Sequence, residues 1–190
     1  MRGADVKGVR LEVPLASRSR RLFLSSTAIA LVGLPLLTQF AVAATRANSD
    51  DLAMLNSAIE LERAGIKAYD DAADTGLLSR TVLDIAARFR ADHVAHRDAL
   101  IGAVRSGGVL VSQNTARIEY PPLRSQTDII AFALSVERQA ASTYLSVIPD
   151  LADRRLAQVA AAILGVETTH VSQLAEALGN AHAYPQHFVV

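Results

Sequence analysis

A glutamate and a histidine three residues apart, Glu167 and His170, sit inside a long apolar stretch running from Leu156 to Leu178. In a helix that spacing puts both on one face. The same face carries Leu156, Ala160, Ile163, Leu174 and Ala177, at alternating steps of three and four. A carboxylate and an imidazole therefore stand where a buried seam needs Leu or Ile, and something has to offset their desolvation. Three further stretches repeat the anomaly. Glu62 interrupts the stripe Leu52, Leu55, Ile59, Ile66, Tyr69; His93 and His96 interrupt Val82, Ala86, Phe89, Leu100, Ala103; Glu137 interrupts Ile130, Ala133, Ala140, Tyr144, Val147. Three carboxylates and three imidazoles on apolar seams, with no Lys or Arg on any of them, need compensating charge. One or two divalent cations supply it, and a mixed carboxylate–imidazole set suits iron, manganese or zinc.

The stripes define the elements that must position these groups. Helix 1 is expected over about Ser49 to Asp74, with Ser49 or Asp50 as its cap and Thr75-Gly76 as its stop. Helix 2 follows after a short connection, over about Ser79 to Arg105, and the shortness makes it an antiparallel neighbour. Residues 108–126 have no helical pattern, and nineteen structureless residues in a compact domain need a reason. A crossover along the length of a bundle provides one, and lets helix 3 (about Thr127 to Ile148, stopped by Pro149) run parallel to helix 2. Helix 4 is capped by Asp150 in this reading and ends at Gly179-Asn180. The expectation is an all-α, four-helix bundle with a long crossover between helices 2 and 3.

The bundle is also a repeat. Leu61-Glu62-Arg63 and Tyr69 recur as Val136-Glu137-Arg138 and Tyr144, and His93 and His96 correspond to Glu167 and His170. Each half contributes one Glu helix and one His-bearing helix, with the polar residues near mid-helix. Helices of similar length packed side by side bring those middles to one level, so the six groups should converge.

Composition narrows the function. The absence of cysteine excludes disulfides, Cys-ligated zinc, iron–sulfur clusters and a rubredoxin-type centre. Beyond residue 43 the chain holds 13 Lys/Arg against 17 Asp/Glu, with no basic stripe, which argues against nucleic acid as a partner. Residues 1–43 are basic by contrast. Ser19-Arg20-Arg21-Leu22-Phe23-Leu24 precedes an uncharged run to Phe40 and a small-x-small site at Ala41-Val42-Ala43. The string resembles a bacterial twin-arginine signal, which implies use of that export machinery, delivery to the periplasm or cell envelope, and cofactor loading before export. Left uncleaved, the run is long enough to span a bilayer. Domains are expected at 1–43 (signal), 44–180 (bundle) and 181–190 (a polar tail with His182 and His187 at the surface).

Glu62 with Tyr69, His96, Glu137 with Tyr144, and Glu167 with His170 resemble the ferritin-like superfamily, and more closely its twin-arginine-exported bacterial members. The resemblance implies a pair of metal ions, held by the glutamates of helices 1 and 3 and the two histidines and bridged by glutamates of helices 2 and 4. It also implies that Tyr69 and Tyr144 hydrogen-bond to ligand carboxylates. One position departs: the bridging Glu of helix 2 is His93. Asp92, one residue off the seam, is a solvated residue, a support for a ligand or a substitute carboxylate. An asymmetric two-metal site, a single metal and a vestigial polar core all follow from that departure. The leading expectation is an exported protein that handles iron, oxygen or peroxide. The alternative is a non-catalytic binding or envelope-stress module with a degenerate or mononuclear site, zinc included.

Overall fold

A computed structural model describes residues 48–179. The signal and the polar tail expected at the two ends lie outside the described residues. Four helices make up the chain: α1 (Ser49–Asp74), α2 (Arg80–Ser106), α3 (Gln126–Val147) and α4 (Arg154–Ala177), with a 3-10 turn at Ile148–Asp150 before α4. No strand is present among the described residues. None of the described helices is long and apolar enough to cross a membrane.

Local chemistry sets the helix ends, and two caps differ from expectation. Asn48, not Ser49 or Asp50, caps α1, its Oδ1 accepting from the Asp51 N–H at 2.7 Å. The Asp51 side chain is left to bond elsewhere. Fully buried, it accepts from the Ala152 and Asp153 N–H groups at 3.0 and 2.9 Å and ties the start of α1 to the start of α4. Pro149 sits in the 3-10 turn, so α4 starts three residues later than expected, on Asp153 rather than Asp150. Gly76 and Gly179 end α1 and α4 at φ of 68° and 73°, a region that costs other residues strain.

α1 pairs with α2 and α3 with α4 as two hairpins, which join through α1 against α3 and α2 against α4. The residues 107–125 run as an extended crossover along the outside of α1. Its backbone groups need partners away from any sheet, and α1 provides them one turn after another. Asn56 bonds Leu110 O and Ser112 N–H at 3.0 and 2.8 Å, Arg63 donates to Ser112 O and Asn114 O, and the Glu60 carbonyl accepts from Ala116 N–H at 3.0 Å. Farther along, the Tyr120 hydroxyl donates to Asp71. The crossover thus returns the chain to the end where α2 began, and α3 runs parallel to α2.

The two largest clusters of the hydrophobic core lie on either side of the polar residues, with smaller ones under the crossover around Phe132 and Ile129. One cluster joins Leu55, Ile59, Leu100, Val104, Tyr144, Leu156 and Ile163; the other joins Tyr69, Phe89, Ile130, Leu134 and Leu174. Between them, at mid-height, lies a fully buried polar layer. The seams follow the sequence reading with three departures: Ala177 is exposed and Ala175 buried, Ala103 is half-buried and Val104 buried, and Ala133 is half-buried and Leu134 buried.

Candidate metal centre

All six groups meet in that layer. Glu62, His93, Glu137, Glu167 and His170 are each 2% exposed or less, and His96 is 9% exposed. Each helix supplies its share from mid-length, where neighbours cover it on every side. The ligand atoms form two sets: Glu62, His93, His96 and Glu167, and His93, Glu137, Glu167 and His170. Within each set one ligand atom per residue lies within 4.8 Å of the others. His93 and Glu167 belong to both.

In the first set His96 Nδ1 is 3.0 Å from Glu167 Oε1 and 3.6 Å from Glu62 Oε2, and His93 Nδ1 is 2.7 Å from Glu62 Oε2. In the second, His170 Nδ1 is 3.4 Å from both Glu137 Oε2 and Glu167 Oε2, and His93 Nε2 is 3.3 Å from Glu137 Oε1. The longer of these separations match the edges of a coordination polyhedron with bonds of about 2.0–2.2 Å, and the 2.7 Å contact of His93 with Glu62 is a hydrogen bond.

The tyrosines cross between halves. Tyr69 of α1 donates to Glu137 of α3, and Tyr144 of α3 donates to Glu62 of α1, the latter at 2.5 Å. Burial raises both phenols well above their usual range, and the adjacent carboxylates raise them further, so each stays a donor. Each tyrosine holds Oε1 of its carboxylate, while Oε2 faces His170 in Glu137 and His93 in Glu62; Glu137 Oε1 is shared between Tyr69 and the His93 ring.

The electrostatics separate the three carboxylates. Burial pushes Glu62 up, but His93, His96 and the Tyr144 hydroxyl outweigh it and hold the group below its ordinary value. Glu137 is held well below, with His170 and His93 overcoming burial. Glu167 is raised, because burial dominates. Among the imidazoles, burial favours the neutral ring, yet the carboxylates raise His96 to about 9 and His170 to about 10, and His93 well above its ordinary value.

Both oxygens of Glu167 and Nδ1 of His96 lack a hydrogen-bond partner although fully buried. His96 Nδ1 and Glu167 Oε1 approach to 3.0 Å without hydrogen-bond alignment. Buried carboxylate oxygens and an imidazole nitrogen brought this close without hydrogen-bond alignment are an arrangement that a cation, displacing the ring proton, would satisfy. The donor set of imidazole nitrogen and carboxylate oxygen fits iron, manganese or zinc. Tyr69, Tyr144 and Asp92 would stand behind the ligands.

Asp92 does not swing into the bridging position. It is an α2 residue with a 48% exposed side chain, and its Oδ2 lies 3.1 Å from His170 Nε2, on the far side of the ring from the centre. Its seam neighbour His93 already fills the middle, so Asp92 can only orient His170 from outside. Phe89 stacks on a face of the His170 ring, with centroids 3.9 Å apart. The counterpart of Asp92 in the repeat is Val166, so no equivalent carboxylate serves His96 from that position.

One residue of the site escaped the sequence reading. Gly65 lies under the His93 ring: a Cβ there would stand 3.0 Å from His93 Cε1 and Nδ1. The available signal was an isolated glycine inside a strongly helical stretch, one turn past Glu62. An apolar cavity of about 40 Å³ lies in the second core cluster, lined in part by Ala86, Ala133, Tyr69 and Phe89; the last two are the residues that contact Glu137 and His170.

Four antiparallel-paired helices around a buried carboxylate–imidazole layer define a ferritin-like bundle with residues that could hold a metal ion. The chain belongs to the ferritin-like domain family, whose sequence model matches residues 50–180. Among solved structures it is similar to a conserved hypothetical protein, rv2844, from Mycobacterium tuberculosis, at 22% identity. That match covers 74% of this chain and 96% of the other, with a TM-score of 0.62. At this identity the likeness is one of fold. No curated protein matches the chain.

Proposed function

We propose that this is an exported metal protein of the cell envelope whose carboxylate–histidine centre handles ferrous iron together with oxygen or peroxide. The observation that carries metal binding is the fully buried Glu167 carboxylate, with both oxygens unpartnered and facing His96 and His170. A polar core built for stability alone would satisfy its most buried acceptor. Glu62, His96, Glu137, His170 and Glu167 would hold the ion or ions, with His93 between the two sets. Bound iron or manganese would supply reversible one-electron chemistry and a Lewis acid. The protein's own part is to exclude water from the layer and to fix two ligand carboxylates through Tyr69 and Tyr144. The neighbouring apolar cavity suits a small uncharged reactant such as dioxygen. The arginine pair Arg20-Arg21 and the Ala41-Val42-Ala43 site support export by the twin-arginine machinery, a route that suits a protein loaded with metal before it crosses.

The test is elemental analysis of the full chain purified after native export, followed by ferrous oxidation in air. Stoichiometric Fe or Mn and oxygen-dependent turnover are expected. Protein without stoichiometric Fe, Mn or Zn refutes metal binding. Zinc alone with no turnover refutes the redox part.

A second reading, a non-catalytic ferritin-like module, has one observation in its favour. The His93 ring reaches Glu62 with one nitrogen and Glu137 with the other, as a cation would. It predicts that Glu62→Ala and His170→Ala leave metal content unchanged.

A further inference from the structure

We propose that His93 is a ligand to two metal ions at once, Nδ1 serving the position formed with Glu62, His96 and Glu167, and Nε2 the position formed with Glu137, Glu167 and His170, and that Gly65 is the residue that admits the ring. This rests on the metal-binding reading above and replaces one of the two bridging carboxylates that the fold's resemblance implied with an imidazole.

The ring is centred. Its centroid is 6.0 Å from that of His96 and 5.9 Å from that of His170, and it stands edge-on to both. Nδ1 faces the α1 carboxylate at 2.7 Å, and Nε2 faces the α3 carboxylate at 3.3 Å. Glu167 repeats this division on the other side of the centre: Oε1 is 3.0 Å from His96 Nδ1, and Oε2 is 3.4 Å from His170 Nδ1. Each position therefore receives one nitrogen of His93, one oxygen of Glu167, one private glutamate and one private histidine, a two-nitrogen, two-oxygen set. Four such donors suit a four-coordinate divalent ion.

A ring is bulkier than a carboxylate, and α1 accommodates it. Glycine in a helix interior is less stable than alanine, so Gly65 needs a reason. The reason is contact: a methyl group there would meet the ring face at 3.0–3.1 Å from Nδ1, Cε1 and Cδ2 together. Ile118, Val136 and Ala140 close the remaining space, leaving a gap of about 10 Å³. The ring cannot retreat from an added methyl group except towards the ions.

When both nitrogens bind metal, the last ring N–H proton goes to solvent. The ions then stand about 6 Å apart, with metal–nitrogen bonds of about 2.0–2.1 Å on either side of the ring. Two-metal sites without a bridging ring stand about 3.5–4 Å apart; here the width of the imidazole between its two nitrogens sets the longer distance, and Glu167 spans it with one oxygen to each ion.

The experiment loads the metal-free full chain with Mn(II) or Co(II). It counts ions by elemental analysis and measures their separation by X-ray absorption and electron paramagnetic resonance. Two ions per chain, with no metal–metal scattering inside about 4 Å and weak magnetic coupling, are expected. His93→Glu should keep two ions and draw them to the shorter distance. Gly65→Ala should weaken the second ion at least tenfold with circular dichroism unchanged. Two wild-type ions already at the shorter distance, or a single ion, overturn the bridging role while metal binding stands. No bound ion overturns both. If Gly65→Ala does not fold, the wild-type separation still decides.

Discussion

Replacing Glu167 with methionine, an apolar side chain of similar length, should stabilise the metal-free protein and abolish its stabilisation by metal. Glu167 is 0% exposed, and neither carboxylate oxygen has a hydrogen-bond partner. A buried polar group in that state costs about 1–3 kcal/mol. Its removal also takes a counter-charge from His96 and His170, which returns part of the gain, so the net should be about 1–2 kcal/mol. For a bundle of this size that is a rise in Tm of about 3–8 °C. The sign agrees with the electrostatics. Burial raises Glu167 above its ordinary value of 4.5, and a carboxylate raised in the folded state costs stability at every pH above its unfolded value. Glu62 and Glu137 are shifted the other way, so Glu62→Gln should lower the metal-free Tm. Thermal melts at pH 7.5, in chelator and again with added Mn(II), read all of this. A metal-free Glu167→Met protein that melts several degrees below wild type, with its metal-induced shift intact, would refute the reasoning. Glu167 would then be a partner in a closed polar network rather than an acceptor kept for a cation.

Two further outcomes follow from the same geometry. Asp92→Asn should weaken one ion and spare the other, because among the described residues a carboxylate meets the outer nitrogen of His170 and none is found on that of His96. Such outer contacts carry about 10–100-fold in affinity, and the half-exposed Asp92 places the loss near tenfold, measurable by chelator competition. Equal loss at both positions, or none, counts against the asymmetry. The metal-free protein should lose stability as pH rises from neutral to 10. His96 and His170 are raised from 6.5 to about 9 and about 10, so their contribution is complete below 6.5 and disappears through the raised values. Metal affinity should rise over the same window as protons leave the imidazoles. A metal-free Tm that is flat from pH 7 to 10 would contradict the ion pairs.

Much of this was legible in the chain. The stripes specified four helices to within a few residues, because a buried face repeats at helical spacing whatever it packs against. The errors fell where a competing local contact decided the outcome. Asn48 took the cap from Ser49 and Asp50, its Oδ1 accepting from the Asp51 N–H, while the Asp51 carboxylate bonds Ala152 and Asp153 across the bundle. Pro149 made a 3-10 turn that moved the start of α4 from Asp150 to Asp153. The long stretch after α2 read correctly as a crossover, but its fastening to Asn56, Glu60 and Arg63 has no periodic signature.

The residues of the centre belong to the same division. Glu62, His93, His96, Glu137, Glu167 and His170 announce themselves in one dimension, since polar groups in the middle of apolar stripes must be compensated by something. The repeat puts them at one level. What the linear order cannot express is direction across the bundle. Only packing turned Asp92 to the outer nitrogen of His170, left both oxygens of Glu167 without a donor, and laid the His93 ring on the bare Cα of Gly65. Side-chain type and spacing decide which groups share a face. Distance between helices, and the volume that a ring or a missing methyl group occupies between them, decide which atoms of those groups meet.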